Sequence, residues 1–201
     1  MPAGDLDLFS PTKGYRFYVD TSALLPAAFL AAKATGSKIQ PHEEKRGQKL
    51  ARFASRAKRN QASLVTTIVA LEELAAVSRG KYREMVAKQK NHASWKAFRA
   101  ADPTAAMTED KNAHPAMLKM TNHALIQMAS FGIELDQIET VGGQSTVAAE
   151  ALRKEWIALL QRWAIDPMDA LHICVGTAIG ATHFITFDTG WDSVSSIVTL
   201  R

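Results

Sequence analysis

Residues 166–188 read DPMDALHICVGTAIGATHFITFD, and this stretch decides the fold. Asp166-Pro167-Met168-Asp169 has the pattern of an N-cap, a proline at the first helical position and an acid in the first turn. The spacing predicts a helix from Pro167 to Ala181. A strand, HFITFD, follows and ends in Asp188. A helix feeding a short apolar strand is the building unit of a parallel sheet.

Similar units recur toward the N-terminus. Arg16–Asp20, RFYVD, follows a glycine and is rich in aromatic and β-branched residues, as buried strands are. Thr21 and Ser22 are candidate caps for the helix SALLPAAFLAAKA, with Pro26 in its first turns. A basic helix is expected from His42 to Asn60. Leu50, Phe53, Ala54 and Ala57 form its apolar side, and Arg52, Arg56 and Arg59 lie on another. Ser63–Thr67, SLVTT, reads as a second strand. An apolar helix follows, IVALEELAAVSRG, which Gly80 is expected to interrupt. Ala101–His114 reads as a loop, Pro115–Phe131 as a helix ended by Gly132, and Ile133–Thr140 as a third strand. Gly142-Gly143 breaks the chain. Ser145 is a candidate cap for a helix with the apolar stripe Leu152, Trp156, Leu159, Leu160 and Trp163. Ile197–Leu200 is expected as a closing edge strand. Short apolar strands alternating with helices predict an α/β sandwich around a parallel sheet, built as one domain.

At 201 residues, 47% hydrophobic and 22% charged, the chain can bury a core without disulfides or a structural metal. The single cysteine, Cys174, excludes a disulfide scaffold and a zinc finger. No apolar run approaches the ~18 residues that span a bilayer. The N-terminal MPAGDLDLFSPTKGY lacks a signal-peptide core, and with one unpaired cysteine the expected location is cytoplasmic. The net charge of +4 hides an uneven distribution. From Lys45 to Arg99 fourteen Lys and Arg face three acids, Glu72, Glu73 and Glu84, a local +11 against −7 elsewhere. A lone basic run is more often a solvated helix surface, but asymmetry of this size suggests a polyanion-binding face.

The acids sharpen that choice. Asp20 and Asp188 each close a predicted strand, and ligands gather at the carboxyl ends of strands in open α/β sheets. Asp169 opens the helix before the second of these strands, and Glu72-Glu73 lies inside an apolar helix whose phase does not choose between the two. Each acid alone has an ordinary structural role as a turn residue or a cap. Together, converging carboxylates would repel and some would take up protons unless a cation joined them. All-oxygen ligands suit Mg²⁺ or Mn²⁺, which can bind a phosphate oxygen and activate water. Cys174 is expected in the core and His172 and His183 in structural roles. Trp95, amid basic residues, is a candidate to stack on a base.

YVDTSALL, TTIVALEELAAV and DPMDALHICVGTAIGATHFITFDTGW resemble the PIN-domain nucleases, most closely the VapC-type toxins of bacterial toxin–antitoxin pairs. Asp20 matches the acid that ends the family's first strand. Glu73, which precedes Leu74, matches the second acid, Asp169 in DALH the third, and Asp188 in TFD the fourth. Thr21, Ser22 and Thr186 match supporting positions, and Asp192 an outer acid. The resemblance implies a three-layer α/β/α sandwich around a mostly parallel sheet. The chain adds a tail over 1–14 and a helical insertion over about 80–130. It implies an Mg²⁺- or Mn²⁺-dependent endoribonuclease with Asp20, Glu73, Asp169 and Asp188 as catalytic metal ligands. The expected partners are RNA, held by Arg52, Arg56 and Arg59, a cognate antitoxin protein and a second copy of the chain in a homodimer, with no membrane. A PIN-like binding module with a degenerate site and a metal-dependent phosphohydrolase of small esters are the alternatives.

Overall fold

The computed structural model describes residues 4–136, 145–194 and 197–201, with residues 145–149 given by backbone alone. Strands β1 (Arg16–Val19), β2 (Ser63–Thr67), β3 (Ile133–Asp136), β4 (His183–Ile185) and β5 (Thr199–Leu200) form one sheet in the order β3-β2-β1-β4-β5. Every pairing is parallel, with Tyr18 opposite both Val65 and Phe184 at the centre. The helices are α1 (Thr21–Ala34), α2 (Pro41–Arg59), α3 (Ile68–Gln89), α4 (Trp95–Ala101), α5 (Pro103–Phe131), α6 (Ser145–Arg162) and α7 (Pro167–Ala178), and a 3-10 turn spans Gly190–Ser193.

Side chains alternate across a strand, so β1 feeds two cores. Phe17 and Val19 join Leu24, Leu50, Phe53, Ala124 and Met128 on the face covered by α1, α2 and α5. Tyr18 joins Ile173, Phe184 and Trp191 on the face covered by α7, with Leu159 and Trp163 packed at its margin. The layers therefore run helix, sheet, helix. Strands buried on both faces need continuous apolar runs, which FYV, LV and HFI supply. Gly176 of α7 permits the close approach of that helix. A Cβ there would lie 2.4 Å from the Phe184 ring and 3.1 Å from Tyr18 Cγ.

Several boundaries differ from the expectations. Asp20 caps α1, accepting the Ala23 N–H, whereas the Thr21 hydroxyl bonds to the Ala70 carbonyl and Ser22 to Asp20. Pro26 lies inside α1, beyond the first turn. Gly80 does not interrupt α3, because nothing lies within 4 Å of its missing Cβ and the penalty of one helical glycine, ~1 kcal/mol relative to alanine, is outweighed by packing on α5 and α1. The expected loop over 101–114 is helical. Asp102 accepts the Ala105 N–H as N-cap, Pro103 stands at the first position, and Ala106 and Ala113 are buried. Asp-Pro was thus a helix start rather than a turn. Pro115 sits within α5 instead of opening it. Helix α7 stops at Ala178, and the following strand at Ile185, so Asp188 lies three residues past the strand. Residues 137–140 of the expected third strand and Gly142-Gly143 lie outside the described residues, as does the Ser145 side chain. Among the described residues no helix is long and apolar enough to cross a membrane.

Candidate functional site

The chain moves outward from β1 through β2 to β3, then jumps back to place β4 on the other side of β1. That reversal opens a crevice at the carboxyl ends of β1 and β4. Asp20 leaves β1 at this point and is only 3% exposed. Its carboxylate accepts from Ala23 N–H (3.0 Å), Ser22 Oγ (2.9 Å to Oδ1) and Thr186 Oγ1 (2.9 Å to Oδ2). The two hydroxyls also bind the other wall of the crevice: Ser22 accepts the Phe187 N–H at 2.7 Å and Thr186 the Asp188 N–H at 3.0 Å. Thr186 and Ser22 thus clasp the end of β1 to the segment after β4.

Glu73 faces the same crevice from the second turn of α3, while Glu72 is exposed, which resolves the choice that helix phase left open. Glu73 Oε2 lies 2.8 Å from His172 Nε2, and His172 Nδ1 lies 2.7 Å from the Tyr18 hydroxyl, which is 3.2 Å from Thr67 Oγ1. The imidazole is thus held between the Glu73 carboxylate and the Tyr18 hydroxyl, which in turn meets Thr67. The chain of bonds runs from β2 through β1 and α7 to α3 and fixes the Glu73 carboxylate. His172, expected to be structural, is a positioning residue for an acid of the site.

Asp169 and Asp188 meet around Gly190. The position of a Cβ on Gly190 is 3.3 Å from Asp169 Oδ2 and 3.3 Å from Asp188 Oδ1. Any side chain there would fill the space between the carboxylates. The Trp191 indole N–H is buried without a partner in hydrogen-bond geometry, so it acts on Asp169 as a nearby dipole. Asp192 is turned to Arg201, which holds both its oxygens (2.9 and 2.5 Å) and the Asp188 carbonyl (2.8 Å). The outer acid therefore anchors the loop that bears Asp188.

Burial pushes the Asp20 carboxyl up to about 7, against the opposing charge of His172 and the hydrogen bonds from Thr186, Ser22 and Ala23. Burial also raises Asp169, offset by Trp191 and reinforced by the charges of Asp188, Asp166 and Glu73. At Glu73 burial acts upward too, but the His172 hydrogen bond, the Thr21 hydroxyl and the imidazole charge win and hold it below its usual value. Such an acid cluster gains from a cation. The donor set is all carboxylate oxygen, which suits Mg²⁺ or Mn²⁺. Among the described residues no three candidate ligands close on a single ion position as the side chains stand. Both Asp20 oxygens are engaged by hydroxyl donors, and Glu73 Oε2 is engaged by His172.

The basic residues fall differently from expectation. Arg52 is paired bidentately with Asp7 (3.1 and 2.8 Å), and Arg56 donates to the Leu6 carbonyl at 2.5 Å. Arg59 is exposed in the last turn of α2. The Arg46 guanidinium lies 5.5 Å from the centroid of the ring of Phe187, the residue before Asp188 in the chain, and Arg201 stands on Asp192 and the Asp188 carbonyl. His183 stands at the opposite end of β4 among Phe9, Tyr15 and Phe17. Cys174 is fully buried.

No protein-family model matches the chain, and no curated protein matches it by sequence.

Proposed function

We propose that the chain is a metal-dependent ribonuclease of the PIN-domain kind, hydrolysing RNA phosphodiesters with Asp20, Glu73, Asp169 and Asp188. The observation that supports this best is the placing of acids from four elements around the crevice where the strand order reverses, one of them buried, its carboxyl pushed up to about 7 by that burial. These four residues would hold Mg²⁺ or Mn²⁺. When bound, the ion supplies the charge that lets the carboxylates ionise together and polarises a phosphate oxygen and a water. The remaining work belongs to the chain. Ser22 and Thr186 orient Asp20, His172 orients Glu73, Gly190 keeps the space between Asp169 and Asp188 free, and Arg46 offers a cation to an incoming phosphate.

A toxin of this kind would act in the cytoplasm, be silenced by an antitoxin and work as a homodimer. Support for a protein partner comes from an apolar furrow lined by Leu25, Phe29, Tyr82, Met85 and Met120 between α1, α3 and α5. A small-ester phosphohydrolase accounts for the acids but does not need the +11 segment, and a degenerate binding module does not need four acids around one crevice.

Incubation of single-stranded RNA and of p-nitrophenyl phosphate with the protein, in EDTA and then in Mn²⁺, separates these readings. The ribonuclease reading expects RNA cleavage that appears with Mn²⁺. Ester hydrolysis without RNA cleavage favours the phosphohydrolase, and RNA binding with neither activity favours the module.

A further inference from the structure

A second cleft lies away from the acids, where α3, α4 and α5 meet. It encloses about 430 Å³, a size suited to a small ligand. Its walls include Arg83, Trp95, Arg99, Met107 and Asp110. The Arg83 guanidinium lies 5.6 Å from the Trp95 ring centroid, and the Trp95 edge packs on Phe98. The single carboxylate of Asp110 is shared by Arg79 (2.7 Å) and Arg83 (2.6 Å). Among the described residues no carboxylate lies within ion-pair reach of Arg99, which is exposed. The cleft therefore combines the exposed guanidinium of Arg99 with the half-buried indole of Trp95, whose backbone N–H donates to Glu84. A small core of Val86, Ala87, Phe98 and Ala106 supports it. Arg83 stands ten residues beyond Glu73 on one helix, about 15 Å along its axis.

We infer that this cleft is a second binding site, which takes one unpaired nucleotide of a single-stranded nucleic acid. The base stacks on Trp95 and the phosphate is held by Arg99, while Arg83 stays paired with Asp110. An aromatic platform beside arginines is the arrangement that grips single strands with little sequence preference. The site gives the segment around residues 80–100 a role in gripping the strand that is cut at the acids. It rests on the reading of the chain as an RNA-handling protein. The test separates the two, because binding is measured in EDTA, where no metal-dependent cleavage occurs.

The test compares a short fluorescein-labelled oligouridine with an abasic ribose-phosphate strand of equal length, by anisotropy over a range of salt. Trp95→Leu keeps an apolar side chain under the cleft but cannot stack. It is expected to weaken oligouridine binding by about tenfold or more, to leave the abasic strand unaffected, and to be rescued by Trp95→Phe. Arg99→Gln, at an exposed position, is expected to weaken both strands and flatten the salt slope by roughly 0.7; this arm stands even if Trp95→Leu does not fold. Unchanged oligouridine binding in Trp95→Leu and Arg99→Gln overturns the site. So does equal weakening of both strands by Trp95→Leu. Unchanged binding with an altered mass in light scattering makes the cleft a contact between chains, and equally overturns it. Normal binding by the cleft variants, with Mn²⁺-dependent cleavage in the wild type, removes the cleft and leaves the ribonuclease reading intact. Loss of binding in the variants, with no cleavage by the wild type, does the reverse.

Discussion

At Gly190 one hydrogen atom separates an open acid cluster from a blocked one. The backbone there is not left-handed, so alanine fits the chain, but its methyl would sit 3.3 Å from oxygens of both Asp169 and Asp188. Gly190→Ala is expected to bind Mn²⁺ roughly 10- to 100-fold more weakly in calorimetry with an unchanged unfolding midpoint. Equal affinity would mean that these two carboxylates do not share a cation. Cys174 offers a second check at this scale. Burial, and secondarily the charge of Glu155, pushes its thiol up to about 12, and only the thiolate reacts. Iodoacetamide at pH 8 should leave the folded protein unmodified and label it in urea; rapid native labelling would contradict the packing of α7. The four acids were legible because each stands beside a strand end or within a helix flanked by small and apolar residues. Glu73 over Glu72 followed only from the resemblance and not from the helix phase, since the contact that distinguishes them is with His172, 99 residues away. Arg46 was invisible for the same reason, because its partner Phe187 belongs to the other end of the chain.

Among the elements, α7 is seated closely on the sheet through Gly176. The Gly176 contact with the Phe184 ring leaves no room for a methyl, and the ring is itself buried against Trp191. Gly176→Ala is expected to destabilise the fold by about 1–3 kcal/mol through overpacking, read from urea unfolding. A neutral effect would show that α7 can lift from the sheet, and with it Asp169 and His172. Strands β1 and β2 and helix α2 were readable to within a residue, because their apolar runs and stripes carry their own period. Helices α3 to α5 were not. Gly80 carries an ordinary breaking signal that the packing of α3 on α1 and α5 overrides, whereas Asp102-Pro103 does separate α4 from α5 and is the local start signal of α5.

Over the whole molecule, the basic stretch divides into residues tied down by the N-terminal segment and residues left to meet a ligand. Lys49 and Arg52 are paired with Asp5 and Asp7, whereas Arg46 rests on the ring of Phe187, the residue before Asp188. Arg46→Gln is expected to weaken RNA binding and lower its salt slope by roughly 0.7, and Arg52→Gln to change neither. The opposite ranking would move the polyanion path to the far side of α2. The account as a whole stands on the acid crevice being a cation site for RNA hydrolysis. Asp169→Asn tests it most directly, because Asp169 is half-buried and Asp166, not Asp169, caps α7. The decisive measurement is the rate of RNA cleavage against Mn²⁺ concentration, for wild type and Asp169→Asn proteins of equal thermal stability. Cleavage by the wild type is expected to depend on Mn²⁺ and to fall by about a hundredfold or more in the variant. Near-normal cleavage by Asp169→Asn, or wild-type cleavage that persists in EDTA, would contradict it.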